Sequence, residues 1–187
     1  MDIFELIEKR RSVFPEQYNE EPILKEELDK ILATANWAPN HRHTEPWRFK
    51  VVQGEIKLKL AEFILEKNAE WEENPSSFKR KKILSKFEQS HTVIAICIQK
   101  SPTGKPPEWE EVSAVAMAVQ NMWLACTALN IGSYWSSPSF INLVDDFFKL
   151  KEGESCLGFF YMGKFDGELE EGKRKSSIHS KVEYFTD

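Results

Sequence analysis

Each thing this sequence has little of removes a class of protein. Only three cysteines occur in 187 residues, Cys97, Cys126 and Cys156. They are odd in number, far apart and set in apolar runs, which excludes a disulfide framework and reads as buried thiols in a reducing compartment. No apolar run approaches the ~20 residues a membrane helix needs. The start, Met1-Asp2-Ile3-Phe4-Glu5, has neither the basic opening nor the apolar stretch of a secretory signal. Asn74-Pro75-Ser76 fails as a glycan acceptor because its middle residue is proline. We therefore expect a cytoplasmic protein without a membrane partner. A global basic field is also missing: 25 Lys and Arg against 30 Asp and Glu leave a net charge of −5, so no nucleic-acid partner is expected. There is no Gly-x-Gly-x-x-Gly dinucleotide fingerprint and no Gly-x-Ser-x-Gly nucleophile elbow. Repeats and low-complexity linkers are absent too.

What is there suits one domain over residues 1–187. A chain of this length buries roughly 70% of the surface that its unfolded form exposes. Six Trp and thirteen Phe make it rich in aromatics. Ile3, Phe4 and Ile7 give a first short helix. Leu28, Ile31, Leu32 and Ala35 share one face of a second, over Glu26 to Asn36, which Pro39 helps to end. Trp47 to Gln53 reads as a strand closed by Gly54. A long amphipathic helix follows from Ile56 to Trp71, broken by Pro75, and a lesser one spans Phe78 to Phe87. Thr92 to Ile98 is nearly all apolar and largely β-branched, as in a central strand covered on both faces. The longest helix, Glu108 to Leu129, is apolar on more than one side, which suits a domain centre or a dimer interface.

Ile131 to Trp135 and Ser155 to Met162 read as further strands, with a helix from Phe140 to Phe148 between them and Ser139 as its candidate cap. After Gly163 the chain turns polar, yet it ends with Val182, Tyr184 and Phe185, which favour burial. Such an arm either packs on another subunit or frays. Strands alternating with helices, too few for a barrel, indicate an α/β or α+β sandwich.

Two patterns resemble chemical motifs and fail on context. Gly158-Phe159-Phe160-Tyr161-Met162-Gly163-Lys164 has P-loop spacing, but Phe165 stands where a hydroxyl must reach magnesium. It reads as a core strand ending at a glycine turn. His41, His43 and Glu45 alternate along one face, but nothing near in sequence completes a metal shell. That segment otherwise reads as a polar loop capping a helix.

The most informative residues are Arg10-Arg11-Ser12, just past the first helix. Two guanidiniums and a hydroxyl at one helix end form a compact anion site, since arginine grips phosphate oxygens through paired planar donors. The segment from Ala38 to Trp47 reinforces this signal, and together they point to a phosphorylated, planar cofactor. The basic runs Lys79-Arg80-Lys81-Lys82 and Lys173-Arg174-Lys175 add local charge, the former on a solvated helix face.

In this order, these segments resemble the nitroreductase family of flavin enzymes. The matches are Arg10-Arg11-Ser12, the helix end Ile31 to Pro39, Pro46-Trp47-Arg48-Phe49, and Gln120-Asn121 leading through Ile131-Gly132-Ser133 to Trp135-Ser136-Ser137. The strand Leu157 to Gly163 follows, and the Pro107 to Glu110 lead-in and short length are similar to the small NAD(P)H nitroreductase members. The resemblance implies an α+β sandwich with a mostly antiparallel central sheet flanked by helices. It also implies a homodimer with the long helix at its interface, the C-terminal arm on the partner, and FMN at the subunit boundary.

By the same resemblance, Arg10, Arg11 and Ser12 hold the FMN phosphate and ribityl chain, with Arg174 as a further phosphate contact. Trp37 and His41 reach the flavin from the other subunit, and Trp135, Ser136 and Ser137 line it. NADH or NADPH passes hydride to flavin N5, and a nitroaromatic, quinone or other electron-poor small molecule then collects it. No side chain is expected as an obligatory acid or base, because the cofactor carries the chemistry. His43 and Glu45 stand where many members have Asn and Gln, and Asn130 stands where Gly is frequent. The first two motivate an alternative, a non-catalytic dimer that senses or stores FMN.

Overall fold

A computed structural model describes residues 1–71 and 76–186, with side chains omitted at 68–71. Its centre is a four-stranded sheet in the order β1-β2-β4-β3, antiparallel throughout. The strands are β1 (Trp47–Gln53), β2 (Thr92–Gln99), β3 (Ile131–Ser136) and β4 (Glu154–Lys164). The helices are α1 (Ile3–Lys9), α2 (Lys25–Ala35), α3 (Glu55–Trp71), α4 (Ser77–Gln89), α5 (Glu108–Ala128) and the single turn α6 (Asp145–Phe148).

Strand periodicity divides the core into two layers. Ile94, Ile96 and Ile98 of β2, with Phe160 and Met162 of β4, point to α2 and α5. Val93, Ala95, Cys97, Phe159 and Tyr161 point the other way, to α3 and α4. Both interior strands are covered on both faces, as the apolar run from Thr92 requires. Burying each such large side chain contributes about 1.5–3 kcal/mol. All three cysteines are free and buried, and burial pushes the Cys126 thiol up to about 12. No helix among the described residues is long and apolar enough to cross a membrane.

Two expectations are corrected. The segment after β3 is not one capped helix: a 3-10 turn, Ile141–Val144, precedes α6, and no side chain caps either. The last strand does not stop at a glycine turn but runs through Gly163 to Lys164. Gly163 sits there because a Cβ would lie 2.5 Å from the Tyr18 ring. Val182, Tyr184 and Phe185 are exposed in the single chain, Phe185 at 92%, which leaves both readings of the arm open. The expected break at Pro75 lies outside the described residues.

Candidate functional site

The first part of the site is built where α1 ends. Asp2 and Glu5 form a reciprocal cap at the start of α1, and the Arg10 amide closes its last turn on the Leu6 carbonyl at 3.1 Å. The chain then extends. Val13 donates to the Ser133 carbonyl of β3 at 3.1 Å, and Trp123 of α5 donates through Nε1 to the Arg11 carbonyl at 3.1 Å. The two arginines are thus fixed between a helix and a strand.

Arg10 lays its guanidinium over the Trp123 ring, 4.8 Å from the centroid. Burial, then the neighbouring cations Arg174 and Arg11, pull it below the ordinary guanidinium range. Arg11 turns to the arm, donating from Nε to the Glu170 carbonyl at 3.1 Å and from Nη1 to the Glu8 and Arg10 carbonyls. Its guanidinium packs so closely on Gly172 that a Cβ there would meet Cζ at 2.5 Å. Ser12 is exposed beside them. Arg11 and Arg174 donate to main-chain carbonyls and Arg10 rests on the Trp123 ring, a grouping of charge that suits an anion.

The second part is the turn at His41–His43 and its flanks. Trp37 is 85% exposed. His41 Nδ1 meets Glu110 Oε2 of α5 at 2.5 Å. Arg42, His43 and Glu45 all have positive φ, at 58°, 53° and 43°. Non-glycine residues held there cost of order 1–3 kcal/mol each and gather at functional sites. The turn is tied across its ends by Asn40, whose Oδ1 accepts from the Glu45 amide at 3.1 Å. At its flank, Trp47 Nε1 donates to Asn36 Oδ1 at 3.0 Å. Arg48 donates to the Glu45 carbonyl at 2.8 Å. Among the described residues no cluster of His, Cys, Asp and Glu could hold a metal.

The third part is the end of β3. Trp135 faces the α5 side and packs against that core layer. Its indole N–H is buried without a partner among the described residues and lies against Gly158, where a Cβ would collide with it. Ser137 donates to the Leu157 carbonyl at 2.9 Å. Ser136 lies instead in a cavity beside Lys82 and Lys86.

Arg10, Arg11 and Arg174 therefore come together, and Trp37 and His41 share the loop after α2. Trp123 and Glu110 were not singled out by sequence reasoning. Each acts on a residue remote in the chain, and no local pattern announces such a pairing.

A model of the Nitroreductase family matches residues 7–164. "Putative NAD(P)H nitroreductase YdjA" of Escherichia coli (strain K12) is 29% identical over 167 residues, 87% of this chain and 88% of that protein. The crystal structure of a nitroreductase-like family protein from Bacillus cereus aligns over 100% of this chain and 97% of its own, at 29% identity and a TM-score of 0.84. A nitroreductase with bound FMN from Bacteroides fragilis NCTC 9343 shares the fold at a TM-score of 0.73, with 22% identity and full coverage of both chains.

Proposed function

The chain belongs to the nitroreductase family, and on that footing we propose that it is an FMN-dependent oxidoreductase drawing electrons from NADH or NADPH. The observation that carries this reading is the arginine cluster: Arg10, seated on Trp123 with Arg11 and Arg174 as neighbouring cations, suits a phosphate. FMN is named as the ligand because a fold neighbour is described with FMN bound. The residues fit it on chemical grounds, with guanidiniums and the Ser12 hydroxyl for the phosphate, and the Trp135 indole N–H for an acceptor. When bound, FMN would take a hydride from the nicotinamide and yield it to a nitroaromatic, a quinone or another electron-poor acceptor.

The protein's own task in this reading is to bind, orient and shield. Arg10 and Arg11 fix the phosphate end, on a backbone already anchored to Trp123 and Ser133. Trp135 and Ser137 line the ring system, whereas Ser136 faces the α4 side. Trp37 and His41 of the partner subunit cover it, which makes the unit a homodimer with two sites. An exposed indole and an arm with exposed Ile178, Val182, Tyr184 and Phe185 suit burial against a second copy. Residues 1–187 then act as one FMN-binding domain.

The test is an FMN titration of the apoprotein and its R10A variant. Loss of a charged hydrogen bond to phosphate should weaken binding by about 1.5–3 kcal/mol. Equal affinity in the two proteins would show that the phosphate lies elsewhere.

A further inference from the structure

The lysines of α4 have a setting that flavin binding does not use. The helix carries Lys79, Arg80, Lys81, Lys82 and Lys86 against one acid, Glu88. Four lysines elsewhere in this acidic protein pair with carboxylates: Lys25 with Asp29 at 2.5 Å, Lys50 with Glu154 at 2.6 Å, Lys100 with Glu108 at 2.7 Å, Lys164 with Glu27 at 2.7 Å. Among the described residues neither Lys82 nor Lys86 makes an ion pair.

Lys86 is half-buried, and Lys82 stands exposed at the rim of the cleft that both line. Lys79, Lys82 and Lys86 fall on one helix face and line a cavity of about 220 Å³ with Ser136, Ser139 and Tyr161. Lys86 is held in place by rings, its Nζ lying 5.2 Å from the Tyr134 centroid and 5.9 Å from that of Tyr161. On the other side of Lys82 and Lys86 opens a second hollow of about 570 Å³, with the exposed ring of Phe78 at its edge. Glu16 is the one carboxylate among the residues of that hollow, and none lines the smaller cavity. Tyr134 and Tyr161 lie on the α3 and α4 side of the sheet, opposite the layer in which Trp123 supports Arg10. This basic cleft is thus separate from the arginine cluster.

We propose that the cleft between α4 and the end of β3 is a second anion site, which binds the phosphate of a small phosphorylated ligand. Lys82 and Lys86 supply the charge, and the Ser136 and Ser139 hydroxyls supply neutral donors. The smaller cavity lies below the ~300–1,000 Å³ of a typical cofactor pocket, so it admits a phosphoryl group and not a whole dinucleotide. The adjoining hollow leaves room for the remainder of the ligand. Lysine suits this task, being a point charge that does not demand bidentate geometry.

The test uses the FMN-loaded protein at constant ionic strength, with amide chemical shifts followed during addition of inorganic phosphate, adenosine 5′-monophosphate or chloride. Saturable shifts at Ser136, Ser139 and α4 are expected with the two phosphates and not with chloride. The K82Q and S139A variants should keep the FMN absorption spectrum, and K82Q should weaken phosphate binding at least about tenfold. Tighter binding of the nucleotide than of phosphate would assign the site to a phosphorylated metabolite, and equal binding to free phosphate. Shifts that chloride reproduces, or that K82Q leaves unchanged, would overturn the proposal. So would binding confined to a long polyanion such as heparin, which would reveal only a charged surface. Failure here would leave FMN binding intact, so the two readings are separable.

Discussion

Gly158 and Gly163 have the spacing of a phosphate loop, and packing accounts for both. A Cβ at Gly158 would strike the Trp135 indole, and one at Gly163 would lie 2.5 Å from the Tyr18 ring. Tyr18 cannot easily retreat, because its hydroxyl donates to the Val13 carbonyl at 2.8 Å or the Tyr161 carbonyl at 3.1 Å. G163A should therefore destabilise the fold by about 1–3 kcal/mol, the usual cost of overpacking. Chemical denaturation measures this, and an unchanged midpoint would contradict the packing argument. Asn130 yields to the same kind of reading. It stands just past α5 at φ 54°, the left-handed position where Asn replaces Gly at least cost. The arginine pair was legible as a local concentration of positive charge because it lies within two residues of sequence. The stacking of Arg10 on Trp123 was not, because the two meet only through folding.

At the scale of elements, strands and long helices were readable because their periods are strong. Trp47–Gln53 emerges with the expected bounds, and α5 ends one residue before Leu129. The stretch after β3 was misjudged because Phe140, Ile141, Leu143, Val144, Phe147 and Phe148 supply apolar positions on any helical template. Only the backbone decides between a 3-10 turn and an α-helix there. Sheet order was not legible either, because β4 enters between β2 and β3 through pairing with two distant strands.

The end of β4 is tied to α2 by Lys164, whose Nζ lies 2.7 Å from Glu27 Oε1. That hydrogen bond holds the Glu27 carboxyl below the ordinary glutamate range. A carboxyl lowered in the folded state lends stability above its unfolded pKa and withdraws it as pH falls through the folded one. E27Q should cost about 1 kcal/mol at neutral pH and flatten the acid limb of the stability profile. Parallel acid limbs in the two proteins would rule out this contact as a source of the pH dependence.

For the whole molecule, exposed apolar groups are the main unresolved stress. Ile3, Phe4 and Ile7 leave α1 without a buried residue, and Trp37, Trp109 and Phe185 are exposed at 85%, 69% and 92%. In a single chain this surface is costly. In the proposed dimer it is covered, and the arginine cluster of one copy is joined by Trp37 and His41 of the other. The sequence announced these groups as apolar but not their exposure, which depends on how the elements pack.

The central claim is a reducible flavin held by this protein. The most direct measurement is the visible absorption spectrum of the FMN-reconstituted protein, before and after anaerobic addition of NADH or NADPH. The account predicts flavin bands that bleach with at least one of the two donors and return when a quinone is added. Protein that retains no flavin after reconstitution, or flavin bands that persist with both donors, would contradict it.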